Sequence, residues 1–117
     1  MHRTLAILAA CGALAAAGEA AAHAHLTAST PAANAAVPAP KEIVLTFTEP
    51  LQPKFSGLAI TMPAMNNMAV PAKVSVSGKT MTAIPATPLA AGAYQVRWHA
   101  VTADTHRVEG QLSFSVH

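Results

Sequence analysis

From residue 25 to the end of the chain, apolar side chains recur with a period of two, and in no window do they hold a helical period of 3.6. Ile43, Leu45 and Phe47 alternate with Val44, Thr46 and Thr48 until Glu49-Pro50 ends the run. Residues 58–61 read as a short strand, and residues 62–71 as a loop with Pro63 and Pro71 at its shoulders and Asn66-Asn67 at its middle. Residues 70–76 and 80–84 bracket Ser77-Gly78-Lys79, a hairpin signal. Tyr94, Val96 and Trp98 alternate with Gln95, Arg97 and His99 in the longest strand, and Gly110 precedes a last one built on Leu112, Phe114 and Val116. Upstream, Pro31, Pro38 and Pro40 forbid helix and central strand alike, leaving a surface loop or an extended edge. Six or seven short strands with turns between them predict an all-β domain, an antiparallel sandwich or small Greek-key barrel, with Tyr94, Trp98 and Met81 in its core.

The first 24 residues follow another rule. Met1-His2-Arg3 is a short basic segment, residues 4–17 are nearly all apolar, and small residues run up to Ala22-His23-Ala24, which fits the A-x-A pattern of a secretory cleavage site. Gly12, Gly18 and Glu19 interrupt the apolar run, which is too short to span a bilayer stably. The expectation is a removed leader over 1–24 and one exported domain over 25–117. Three other outcomes are open. Cleavage after Ala20-Ala21-Ala22 would start the product at His23-Ala24-His25, itself a local square-planar chelator; Leu8-Ala9-Ala10-Cys11 resembles a lipoprotein box with Cys11 acylated; and the leader could stay in place.

Loss of the leader removes Arg3 and Glu19 and leaves six Lys and Arg against four Asp and Glu, too slight a bias for nucleic acid or an anionic membrane. The only cysteine, Cys11, goes with it, so disulfides, thiolate metal sites and thiol nucleophiles are excluded from the domain. Its stability must come from its hydrophobic core.

A start at His25 gives that residue a free amine beside its imidazole, two nitrogen ligands from one side of the chain. Asp104 and His106, two apart, would leave the same face of an extended strand and supply a carboxylate and a second imidazole. An amine, two imidazoles and a carboxylate suit Cu2+, which leads the divalent affinity order at nitrogen sites. The bland alternatives are a solvated strand-end histidine and a turn-forming aspartate. Met62, Met65 and Met68 are spaced M-x-x-M-x-x-M in a segment that reads as loop, and soft thioethers select Cu+; the alternative for these is ordinary packing. Glu49 is an auxiliary ligand or a solvated strand-end carboxylate. Nothing has the pattern of a catalytic site: no paired carboxylates in a pocket, no Ser-His-Asp order, no phosphate loop.

Several stretches together resemble the CopC family of periplasmic copper-resistance proteins: His25-Leu26 leading into Ser29-Thr30-Pro31-Ala32, Leu45-Thr46-Phe47-Thr48-Glu49, Phe55-Ser56-Gly57, the 62–68 methionine segment, Pro88-Leu89-Ala90-Ala91-Gly92-Ala93-Tyr94, and above all Trp98-His99-Ala100-Val101-Thr102-Ala103-Asp104-Thr105-His106. The resemblance implies an immunoglobulin-like Greek-key β-barrel of about seven antiparallel strands and a Cu2+ site mapping onto His25, Asp104 and His106, with Glu49 close by. It also implies a Met-rich Cu+ loop. The family's loop includes a histidine, whereas this one is shorter and has none between Met62 and Pro71. Function by resemblance is a periplasmic copper carrier or buffer, not an enzyme, passing the ion to a CopD-type membrane transporter or a multicopper oxidase. Two alternatives stand beside it. A copper-dependent polysaccharide monooxygenase also starts with a histidine, but such enzymes need an open coordination position and a flat aromatic face, and aromatics are only 4% of this chain. The other is a metal-free immunoglobulin-like interaction module.

Overall fold

Alternation sorts the side chains into an inner and an outer set, and two sheets close over the inner one. The computed structural model describes residues 24–117; apart from Ala24, the leader expected over 1–24 lies outside the described residues. The strands are β1 (Leu26–Thr30), β2 (Ala36–Val37), β3 (Ile43–Phe47), β4 (Gly57–Met62), β5 (Met68–Val70), β6 (Ala72–Ser77), β7 (Thr80–Pro85), β8 (Gly92–Val101) and β9 (Arg107–Val116). One sheet has the order β1-β3-β7-β6 and the other β2-β9-β8-β4-β5. Pairing is antiparallel except for the short parallel contact of β2 with β9. The chain changes sheet at every connection from β1 to β4, again between β5 and β6 and between β7 and β8, so this is the expected immunoglobulin-like Greek-key sandwich.

Ile43, Leu45 and Phe47 from β3 and Met81 and Ala83 from β7 face Ile60, Tyr94, Val96, Trp98, Ala100, Leu112, Phe114 and Val116 from the other sheet, all buried. Each large side chain so removed from water contributes about 1.5–3 kcal/mol before the entropy of ordering is charged against it. Phe47 meets Trp98 edge-on at 5.0 Å, and Tyr94 stacks on Phe114 at 5.4 Å. The Tyr94 hydroxyl reaches the rim and donates to Ala90 O at 2.6 Å, which lets a phenol sit in the core.

Two departures from the sequence reading lie within the sheets. Residues 62–71 are not all loop: after a 3-10 turn at Pro63–Met65, Asn66 and Asn67 both take left-handed backbone (φ 56° and 55°), and the chain doubles back as β5. Asparagine tolerates that conformation better than most residues, so a tight reversal was available where only a loop was expected. Gly110 does not precede the last strand but lies inside β9, opposite Trp98. The indole fills the space a side chain there would need. The proline-punctuated stretch is an edge as expected, with β1 at one border of the first sheet and β2 at one border of the second. His99 points outward between Gly57 and Glu109.

Candidate metal centre

The region of interest is the end of the sandwich where β8 stops at Val101 and β9 resumes at Arg107. Extending the inward set of β8 past Ala100 puts Thr102 inside, where it is 6% exposed and the one buried residue of polar type among the described residues. A buried hydroxyl needs a partner, and Thr102 Oγ1 donates to Asp104 Oδ1. The Thr102 backbone is fixed as well. Its N–H donates to His106 O at 3.1 Å, and its carbonyl accepts from Thr105 N at 2.9 Å and from Gln52 Nε2 at 2.6 Å. It also bridges to Leu51.

Thr105 completes the turn with φ 68°, a left-handed conformation costly for a β-branched residue. Asp104 and His106 are therefore brought together by a turn, not by the extended strand that their spacing suggested. Asp104 Oδ2 lies 2.8 Å from His106 Nδ1, and the His106 N–H donates to Oδ1 at 3.4 Å. Both side chains are more than half exposed. An extended backbone would have pointed them in parallel; the left-handed residue between them turns one ring onto the other's carboxylate.

The Asp104 carboxyl is pulled from the ordinary 3.8 down to about 2, chiefly because the Thr102 hydroxyl donates to its charged form and secondarily because His106 does. A lowered folded-state value means that the stabilisation linked to Asp104 is fully present above pH 3.8 and is lost as the pH falls through about 2. Carboxyl-carbon NMR titration of the copper-free protein is expected to give a midpoint near pH 2 for Asp104. Thr102→Val is expected to raise it towards the ordinary value, and a wild-type midpoint already at that value would show that the hydroxyl does not donate.

His25 reaches the same end by another route. It immediately precedes β1, its N–H donates to Thr48 Oγ1 at 2.9 Å, and its carbonyl accepts from Thr48 N at 2.9 Å. Three residues on, Leu51 bridges to Thr102, so residues 48–51, with exposed Glu49 among them, link His25 to the Asp104–His106 turn. In the 117-residue chain the His25 nitrogen is a peptide nitrogen, a donor and not a ligand. Among the described residues no three of His, Cys, Asp and Glu gather as a metal-holding group. Asp104 and His106 are thus together, while His25 and Glu49 are connected to them only through residues 48–51 and are not gathered with them into one group among the described residues. Thr48, Gln52 and Thr102 escaped the sequence reading. Thr102 alone had a signal, a hydroxyl at an inward position two residues before the aspartate.

The methionines lie at the other end. Met62 and Met68 are direct cross-strand partners on β4 and β5, which places their Cβ atoms about 5 Å apart on one face. Met62 packs against the core, whereas Met65, on the intervening turn, and Met68 are 53% and 48% exposed. Because β4 runs antiparallel to β8, Thr61 pairs with Gln95 near the start of β8 and Gly57 with His99 near its end. The thioethers are consequently separated from Asp104 by most of the length of β8, about 25–30 Å at the usual rise per residue. The donor types at each end fit copper: nitrogen and carboxylate for Cu2+, thioether for Cu+.

The model of the CopC domain matches residues 26–117. Copper resistance protein C of Xanthomonas campestris pv. juglandis is 43% identical over 102 residues, covering 81% of this chain and 80% of that protein. The crystal structure of PcoC, a methionine-rich copper resistance protein from Escherichia coli, superposes with a TM-score of 0.75 at 44% identity, covering 82% of this chain and 100% of that one. CopC from Methylosinus trichosporium OB3b superposes with a TM-score of 0.71 at 28% identity, over 80% and 93% of the two chains. The sandwich, the turn that pairs Asp104 with His106 and the match along nearly all of the described residues lead to one classification: the chain belongs to the CopC domain family.

Proposed function

We propose that the protein is a periplasmic copper carrier or buffer that serves copper resistance, binding the metal and not transforming a substrate. In this reading Cu2+ is held by the amine and ring of His25 after leader removal, with His106 and Asp104 completing the set and Glu49 beside them. Cu+ is held by Met62, Met65 and Met68. A CopD-type membrane transporter or a multicopper oxidase is the receiving partner. The observation that carries the reading is the Asp104–His106 pair, ionised carboxylate against imidazole at 2.8 Å, fixed on a buried threonine at the end of the sandwich where His25 emerges. Relatives named as copper resistance proteins supply the metal and the physiological context.

The test begins with intact mass and N-terminal sequence of the exported protein, then Cu2+ titration followed by electron paramagnetic resonance. One tight Cu2+ per chain on material starting at His25 is the expected result. Material starting at His23 would move the site to a local tripeptide chelate, and absence of Cu2+ binding would sink the nitrogen site. Since the two donor sets lie at opposite ends of β8, they should load independently. Replacing Met62, Met65 and Met68 together with Leu is expected to weaken Cu+ by about 100-fold or more, about 2.8 kcal/mol, and to leave Cu2+ affinity unchanged. Competition with a Cu+-specific chelator reads the first and the Cu2+ titration the second; retained Cu+ affinity removes the thioether site.

A further inference from the structure

We infer that Thr102 is a positioning residue for Cu2+: its buried hydroxyl fixes Asp104, Asp104 fixes the His106 ring with the proton on Nδ1, and Nε2 is thereby set as the nitrogen that ligates the metal. The inference rests on the proposed Cu2+ site and adds to it which atom binds and what holds that atom in place.

Thr102 cannot move as a unit, because its N–H, its carbonyl and its bridge to Leu51 are all engaged with neighbouring backbone or with Gln52. With the backbone fixed and the side chain enclosed, the hydroxyl has one hydrogen bond to give, and it gives it to Asp104 Oδ1. That leaves Oδ2 facing His106 Nδ1 at 2.8 Å. An ionised carboxylate only accepts, so the ring nitrogen it faces must carry the hydrogen. A neutral imidazole protonated at Nδ1 has its lone pair on Nε2, and a carboxylate behind a ligating histidine both orients the ring and raises its basicity. Oδ1 accepts from both the Thr102 hydroxyl and the His106 N–H, whereas Oδ2 keeps a second lone pair, so Asp104 can orient His106 and still contribute to the coordination sphere through Oδ2. Without the Thr102 hydroxyl, Asp104 would be held only by its bonds to the exposed residue it is meant to orient.

The strain at Thr105 fits the same scheme. A β-branched residue at φ 68° is tolerated where surrounding contacts over-determine the turn. Here the Thr105 N–H to Thr102 O bond and the Thr102 N–H to His106 O bond close the turn from both sides. The metal then meets a preformed arm, not a loop that must order on binding.

Two measurements on the exported protein test this. In the copper-free state, nitrogen-15 NMR of the imidazole rings reads the tautomer, and His106 is expected with hydrogen on Nδ1. Thr102→Val removes the hydroxyl at nearly constant volume; it is expected to mix the His106 tautomers, to change the Cu2+ hyperfine coupling and to weaken Cu2+ by about 10- to 100-fold. Thr102→Ser, which keeps the hydroxyl, is expected to restore both the tautomer and the spectrum. A wild-type His106 protonated on Nε2, or a folded Thr102→Val protein with unchanged tautomer, spectrum and affinity, overturns the inference while leaving the Cu2+ site intact. If the valine variant does not fold, the wild-type tautomer and the serine variant still decide. Failure of the wild-type protein to bind Cu2+ at all is a different result and removes the underlying site.

Discussion

Gly110→Ala is expected to destabilise the domain by about 3 kcal/mol, the upper end of the range for overpacking, and to lower its thermal midpoint by about 12–24 °C. A Cβ at this position would lie 2.3 Å from Trp98 Cζ2 and 2.7 Å from Cε2, well inside contact distance. Neither partner can give way. Gly110 is held in the middle of β9, opposite Trp98 in the β8–β9 ladder, and the indole is wedged against Phe47 on its other side. Trp98 Nε1 is buried and has no hydrogen-bond partner among the described residues. A domain of this size has a total stability of about 5–15 kcal/mol, so the loss is a large fraction of it. Shrinking the ring should relieve the clash. Trp98→Leu combined with Gly110→Ala is expected to cost less than the sum of the single changes by about 1–3 kcal/mol, the coupling of residues in direct contact. Thermal and urea unfolding of the four proteins measures the cycle. A Gly110→Ala midpoint within about 4 °C of wild type, equivalent to about 1 kcal/mol or less, would show that the indole moves aside.

The Gly110–Trp98 contact also shows where the sequence stops being informative. The inward set of each long strand was legible, because burial follows from alternation alone: Ile43, Leu45 and Phe47, then Tyr94, Val96 and Trp98, then Leu112, Phe114 and Val116 are all in the core. Which residue faces which across a ladder depends on register between segments far apart in the chain, and no local pattern encodes it. Hence Gly110 read as the residue before the last strand, when it lies within that strand and its lack of a side chain is what admits the indole. Residues 62–71 failed for a related reason. Proline and asparagine signal a turn, but they do not say that Met68–Val70 will find an open edge on β4. At the candidate metal centre the residue types were legible and the support was not. Asp104 and His106 stand out by type and spacing. The residues that hold them, Thr102 from beneath and Gln52 and Leu51 from the β3–β4 connection, are ordinary until the fold brings them together.

His106→Ala is expected to lower Cu2+ affinity by about 100-fold or more, about 2.8 kcal/mol, without lowering Cu+ affinity and with little effect on stability. The side chain is more than half exposed, so its removal empties no core space. The effect on the metal is expected to be large because, among the described residues, no other side chain at that end can replace the imidazole. Glu49 is a harder donor, His99 lies on the outer face of the sheet between Gly57 and Glu109, and the methionines are most of a strand length away. What would remain is the amine and ring of His25 with the carboxylate of Asp104, which no longer has a ring to orient. The same substitution separates the rival metal sites. A chelate built from His23, Ala24 and His25 uses only ligands within that tripeptide, so it would keep its affinity and its square-planar spectrum when His106 is removed. A domain without a metal role would show only weak binding in both proteins. Competition titration against a Cu2+ chelator, on material whose first residue has been sequenced, reads all three cases. Only the proposed site shared by His25, Asp104 and His106 demands that a change at residue 106 be felt at residue 25, because only that site would bring the two residues into one coordination sphere.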